Sequence, residues 1–177
     1  MKSNITLFAS ALSAGVIFAA GAQSSATPVA AFESGHARIE FDSKGCVSSL
    51  REKKTGRELV GEVTPFVSLR LSGKASVGPK GLEMRGGNVL VFSFPPAGEV
   101  ALSVTPADFG WTFTVDGVTV RDVEQFDFAC LKPACRRYSG ATFANAVSDD
   151  ESAVFVRPYD PRPEPRCRSR EGLLVRM

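Results

Sequence analysis

Short apolar runs rich in Val, Phe, Leu and Thr recur along the chain, separated by turn residues. ARIEF (37–41) leads into Asp42-Ser-Lys-Gly45, and VSSL (47–50) leads toward Lys54-Thr55-Gly56. In FVSLRL (66–71), Val67, Leu69 and Leu71 alternate with Ser68 and Arg70, the period-2 signature of a strand with one buried side. VLVFSF (89–94) is apolar at both phases, which places it centrally in a sheet. VALSV (100–104) follows after Pro95-Pro96-Ala-Gly98. In WTFTV-DG-VTV (111–120), Asp116-Gly117 predicts a two-residue type I′ hairpin that sets Val115 opposite Val118 and Phe113 opposite Val120. Past Val120 the alternation falters at Asp122 and Glu124, which predicts a bulge or a strand leaving one sheet for another. ATFANAV (141–147) and AVFV (153–156) complete about nine strands. No window of 12 or more residues after position 30 carries the spacing of an amphipathic helix. The expectation is an all-β fold, an antiparallel two-sheet β-sandwich, possibly incomplete.

The two ends do not share this rhythm. Lys2 is the only charge before Glu33, and an apolar stretch from Ile5 to Gly21 ends at Ala20-Gly21-Ala22, the small-x-small pattern of a signal-peptidase site. Residues 1–22 therefore read as a signal peptide cut before Gln23, which predicts a secreted or periplasmic protein. The alternative is an uncleaved anchor, for which 17 apolar residues lie at the low edge of a roughly 17–25 residue span. At the other end, residues 157–177 hold four of the 11 prolines and six arginines. Proline lacks the N–H of a central strand, so this segment is expected to be a disordered tail or a truncation end. Residues 23–156 remain as the folded domain, with 14 basic and 16 acidic residues.

Composition excludes more than it assigns. A chain that is 44% hydrophobic and 23% charged is not of the disordered class. A net charge of +2 gives no electrostatic reason for a nucleic-acid partner. Four cysteines suit an oxidising compartment, and Cys130 and Cys135, flanking the turn-prone Leu-Lys-Pro-Ala, form a disulfide candidate. Read instead as a metal site, Cys-x4-Cys lacks a second pair at zinc spacing and a nearby His. His36 is the only histidine, and there is no G-x-S-x-G, no P-loop and no G-x-G-x-x-G before a helix. The acidic pairs Asp122/Glu124 and Asp149/Asp150/Glu151 come with no recognisable cleft to hold a sugar ring between them. No catalytic residue, cofactor or metal is expected.

One stretch carries a resemblance. FDSKGCVSSLREKKTGRELV (41–60) is similar to the opening of galactose-mutarotase-like supersandwich domains, through Gly45, Val47, Leu50, Lys54, Thr55, Gly56, Arg57, Glu58 and Leu59. GWTFTVDGVTVRDVEQFDFACL (110–131) resembles a later strand pair of that family, with Phe126-Asp127-Phe128 where the family has a Pro. Such domains precede or follow the catalytic domains of glycoside hydrolases and polysaccharide lyases. The resemblance therefore implies a supersandwich-like, non-catalytic carbohydrate-associated module, or the N-terminal fragment of such an enzyme. Its implied partners are an oligosaccharide or polysaccharide and the parent's catalytic domain, with no membrane partner after leader cleavage. Mutarotases use histidines and a glutamate for ring opening, so that activity is not carried over to a chain with one His. For direct sugar contact the candidates are Trp111 and Tyr138 for ring stacking, with Arg136 and Arg137 as hydrogen-bonding neighbours. The alternatives are a core anchor for Trp111, in phase with Phe113 and Val115, and a wet loop for Tyr138. A reading of a different class is a structural or protein-interaction sandwich with no sugar affinity.

Overall fold

A computed structural model describes residues 4–11, 27–141, 144–158, 164–168 and 172–176. Among the described residues there is no helix, and the chain is an all-β, sandwich-like assembly of antiparallel sheets. Strands are numbered in chain order. The small sheet comprises β2 (Ala30–Glu33), β3 (Ala37–Phe41) and β4 (Val47–Glu52). A second sheet holds β6 (Val67–Leu71), β7 (Ser76–Val77), β12 (Val123–Pro133), β16 (Glu164–Arg168) and β17 (Gly172–Arg176), with β5 (Val60–Glu62) pairing at the end of β12. The largest sheet has eight strands. It contains β1 (Asn4–Ala11), β8 (Gly81–Arg85), β9 (Val89–Phe94), β10 (Gly98–Ala107) and β11 (Gly110–Val118). β13 (Arg137–Ala141), β14 (Ala144–Ser148) and β15 (Ser152–Pro158) complete it. Its spatial order is β13-β14-β15-β1-β11-β10-β9-β8. Three hydrogen-bonded sheets thus stand where two were expected, because β2–β4 form a meander of their own.

The period-2 patterns sort residues as the alternation requires. On β3, Ala37, Ile39 and Phe41 are buried, while Arg38 and Glu40 face outward and pair at 2.8 Å. On β9, Leu90, Val91 and Phe92 are all buried, consistent with its place between β8 and β10. One apolar cluster draws on all three sheets. Phe66 sits at its centre, with ring centroids 5.3 Å from Phe41 on the small sheet and 4.8 and 6.4 Å from Phe113 and Phe92 on the large one. Its backbone N–H donates to Gly45 O and its carbonyl accepts from Cys130 N, each at 3.0 Å, so the main chain adds the second sheet, through β12, to the two that the ring touches. Gly45 closes the turn before β4 at φ +73°, and a Cβ there would lie 2.7 Å from the Phe92 ring. Only glycine meets both demands.

Several expectations are corrected. Asp116-Gly117 is not a hairpin turn. β11 runs through it against β10, with Leu102 opposite Val115 and Ala101 opposite Gly117, so Asp116 is the extra residue of a β-bulge. Neither residue has the positive φ a type I′ turn demands. The ten-residue β10 offers buried Val100, Leu102 and Val104 as partners for the whole of β11, and the chain reverses instead at Asp108-Phe109. The faltering after Val120 is a change of sheet, since β11 lies in the eight-stranded sheet and β12 in the second. The segment 157–177, expected as a disordered tail, supplies the end of β15 and the hairpin β16–β17. β17 pairs with β12 and buries Leu173, Leu174 and Val175, while Pro165 stands on the edge strand β16, where a missing N–H breaks no ladder. Arg176 seals this addition by donating from Nε and Nη2 to the buried Asp127 carboxylate at 2.7 and 2.9 Å. Residues 4–11, within the expected leader, form β1 between β11 and β15, with Leu7 fully buried. The cleavage site at Ala22 lies outside the described residues.

Candidate functional site

The Thr55–Leu59 segment is a structural device in which each residue has a partner. Gly56, at φ +72°, closes the turn by donating from N to Glu52 O at 2.9 Å, and Thr55 Oγ1 donates to Glu52 Oε2 at 2.6 Å. Glu58 folds back on its own hairpin. Its Oε1 accepts from Leu50 N at 2.7 Å and Val60 N at 3.0 Å, and its Oε2 accepts from Ser49 Oγ at 2.6 Å. Leu50 and Leu59 are both buried in the core, joined by Leu59 N to Leu50 O at 2.7 Å. Arg57 reaches across to the β14–β15 turn, bonding both oxygens of Asp149, Glu151 Oε2 at 2.9 Å and Ser152 Oγ at 3.2 Å. Burial disfavours the ionised form of Asp149. The Arg57 hydrogen bond and the N–H groups of Glu151 and Ser152 outweigh it and hold the carboxyl well below the usual carboxylate range. This charge cluster is occupied with holding two turns together and offers no open coordination.

Of the aromatic and basic candidates, Trp111 is the one that the structure removes from any binding surface. Trp111 is fully buried on β11, in phase with Phe113 and Val115, so it is a core anchor with no face for a sugar ring. Its Nε1 is, among the described residues, the buried side-chain nitrogen without a hydrogen-bond partner. Tyr138, in β13, pairs through its backbone with Val147 of β14, and its side chain lies outside the described residues. Arg136 is exposed, and Arg137 makes a surface ion pair with Asp150 at 2.6 Å, both side chains being more than half exposed. Pairs of this kind contribute little.

The Cys130–Cys135 bridge is also corrected, because Cys46, Cys130 and Cys135 are free thiols. β12 continues through Cys130 to Pro133 instead of turning, which carries the backbone about 10 Å along by Pro133 at ~3.3 Å per residue. A disulfide needs Cα atoms closer than about 7 Å. Burial, reinforced by the Asp149 charge, pushes the Cys135 thiol up to about 11, and its Sγ lies 3.8 Å from Ser152 O. His36 lies between β2 and β3 with its ring 4.5 Å from that of exposed Phe109. Among the described residues no group of three or more His, Cys, Asp or Glu side chains is placed to hold a metal ion.

A cleft of about 460 Å³ opens at the crossing from β11 to β12. Its walls come from three separate loops and present Ser72, Lys74, Pro96, Thr119, Arg121 and Asp122. Asp122 stands at φ +57°, and its carbonyl accepts from Ser72 N at 3.0 Å, which pins the wall of β12 to the end of β6. Thr119 Oγ1 accepts from Glu99 N at 2.9 Å and returns a bond to Glu99 O at 3.3 Å. Lys74 and Arg121 are both exposed and both line the cleft. The arrangement offers two cations, hydroxyls and a carboxylate beside the apolar Leu71, Pro96 and Ala97. Sequence reasoning missed it because residues 72–74, 96–97 and 119–122 are adjacent only in space. The one local signal was the break in alternation at Asp122. No protein-family model, curated protein or solved structure matches this chain.

Proposed function

We propose that this chain is a non-catalytic, carbohydrate-associated β-sandwich module of an exported protein. The observation that carries the reading is the cleft at the β11–β12 crossing. Its volume lies within the roughly 300–1,000 Å³ range of small-ligand sites, and it combines hydroxyl, carboxylate and cationic groups with apolar side chains. A sugar ring, with hydroxyls that both donate and accept and an apolar face, matches that mixture. The resemblance of 41–60 to supersandwich domains supports the same reading. The well-formed Thr55–Leu59 hairpin gives that motif a physical role in folding, with its catalytic histidines not represented. Proposed partners are an oligosaccharide and a neighbouring catalytic domain, and the reading assigns this chain no reaction of its own.

Titration of the full chain with neutral and uronic-acid oligosaccharides, followed by calorimetry and by NMR shifts, tests it. Expected is saturable binding that moves resonances at 72–74 and 119–122 and is lost in Lys74→Ala and Arg121→Ala with the fold intact. A panel that leaves every resonance in place removes direct sugar binding and leaves the structural or protein-interaction reading.

A further inference from the structure

The eight-stranded sheet consists of two meanders, β8–β9–β10–β11 and β13–β14–β15, and β1 is what joins them. Five residues of β1 pair with β11, from Asn4 opposite Thr114 to Phe8 opposite Gly110. Seven pair with β15, from Ile5 opposite Pro158 to Ala11 opposite Ser152. Both pairings are antiparallel, so β11 and β15 run parallel to each other across a slot one strand wide. Direct closure of that slot would need a parallel pair, and every described pairing in this structure is antiparallel. The slot therefore specifies its occupant: one extended segment, of one polarity, with an apolar residue where Leu7 lies level with Trp111 and Val156. The same segment is the part of the sequence that reads as a removable leader.

We infer that the gap between β11 and β15 is an acceptor site for a separable strand, and that its occupant is residues 4–11 of this chain. Residues 4–11 complete the sheet while attached and, once detached, leave a slot that takes the same strand back from solution. Trp111 stands opposite Leu7 across the seam and is buried there, so its exposure reports on whether the slot is filled. This inference does not depend on sugar binding.

The full chain is folded with a site-specific protease sequence substituted within residues 12–26, then cut. Labelled synthetic peptide 4–11 is added in mild urea. Trp111, the only tryptophan, reports on the seam. Expected is one labelled peptide taken up per chain, competed by unlabelled peptide but not by a scrambled sequence or by the Leu7→Asp peptide. Loss of β1 makes Trp111 quenchable by acrylamide, and the peptide restores its shielding. Amides of β11 and β15 that face β1 lose and regain hydrogen-exchange protection in step. If cutting unfolds the chain, refolding with and without the peptide decides: recovery only with it supports the acceptor site, and equal recovery overturns it. The inference is also overturned if Trp111 stays shielded with no uptake, if the scrambled peptide enters equally, or if the cut chain dimerises and excludes the peptide.

Discussion

Phe66 is the residue whose loss tests whether the three sheets share one core. It is fully buried and touches three aromatic rings, one on the small sheet and two on the large one. Truncating a buried Phe to Ala costs about 3–5 kcal/mol, a range that already includes lost transfer energy and the residual cavity. Aromatic pairs add about 0.5–1.5 kcal/mol each beyond burial. Three such pairs, with little freedom for surrounding strands to collapse, place Phe66→Ala near the top of the range, at about 4–5 kcal/mol. Against a total stability of about 5–15 kcal/mol this removes a large share. At about 2–4 °C per kcal/mol it lowers the melting temperature by roughly 8–20 °C. Phe66→Leu keeps most of the volume and should cost about 1–2 kcal/mol. Val63→Ala, 54% exposed, serves as a control within about 0.5 kcal/mol. Urea unfolding is followed by Trp111 fluorescence, which reports on the large sheet, and by far-ultraviolet circular dichroism, which reports on all three. Both midpoints should fall together with an unchanged slope. A loss below about 1.5 kcal/mol, or a shift in one probe without the other, refutes a shared core centred on Phe66.

Three further outcomes follow from particular contacts. Arg57→Ala should cost about 1–2 kcal/mol at neutral pH, because it leaves the Asp149 carboxylate without its cationic partner. Since the folded state keeps Asp149 ionised below the range in which the unfolded chain takes up its proton, that contribution is intact above about pH 4 and is lost as pH falls below it. Stability measured from pH 7 down to pH 2 should therefore fall more steeply in the parent than in Asp149→Asn, and parallel curves would contradict this. Gly45→Ala combines a strained φ with a 2.7 Å approach to Phe92 and should destabilise by about 1–3 kcal/mol, read as a lower urea midpoint. Cys130 and Cys135 should react slowly with a thiol reagent in the folded chain and rapidly in urea. Reductant should leave the melting temperature unchanged, since neither thiol is bridged.

What was readable in the sequence is what short-range patterning controls. Alternation alone places Ala37, Ile39 and Phe41 inward, and the doubly apolar 89–94 sits inside a sheet. The Leu50–Leu59 contact follows from a turn at Gly56. Misreadings arise where a distant partner outweighs a local preference. Asp116-Gly117 has strong turn chemistry, yet β10 offers a longer apolar ladder, and the pair is absorbed as a bulge. Pro133 suggested a turn between two cysteines, and the strand runs on to it instead. Prolines at 158 and 165 forbid a central strand with the N–H in the ladder but not a strand end or an edge, and edges are a property of the assembled sheet. For residues 4–11 an apolar run suits both a leader and a strand, so composition cannot separate the two uses. The cleft is illegible for a different reason, being assembled from three loops spread over about fifty residues of chain.

The seam at β1 also has a consequence in time. Leu7 pairs with Val156, so the first of the described strands has a neighbour that is made 149 residues later. At about 5–20 residues per second, synthesis of the intervening chain takes roughly 7–30 s, during which β1 has no complete slot to enter. For that interval residues 4–11 wait without their β15 partner, and the two meanders of the eight-stranded sheet stay unjoined. Completion of the eight-stranded sheet is therefore a late event, and the rate of elongation sets how long its two halves stay unjoined.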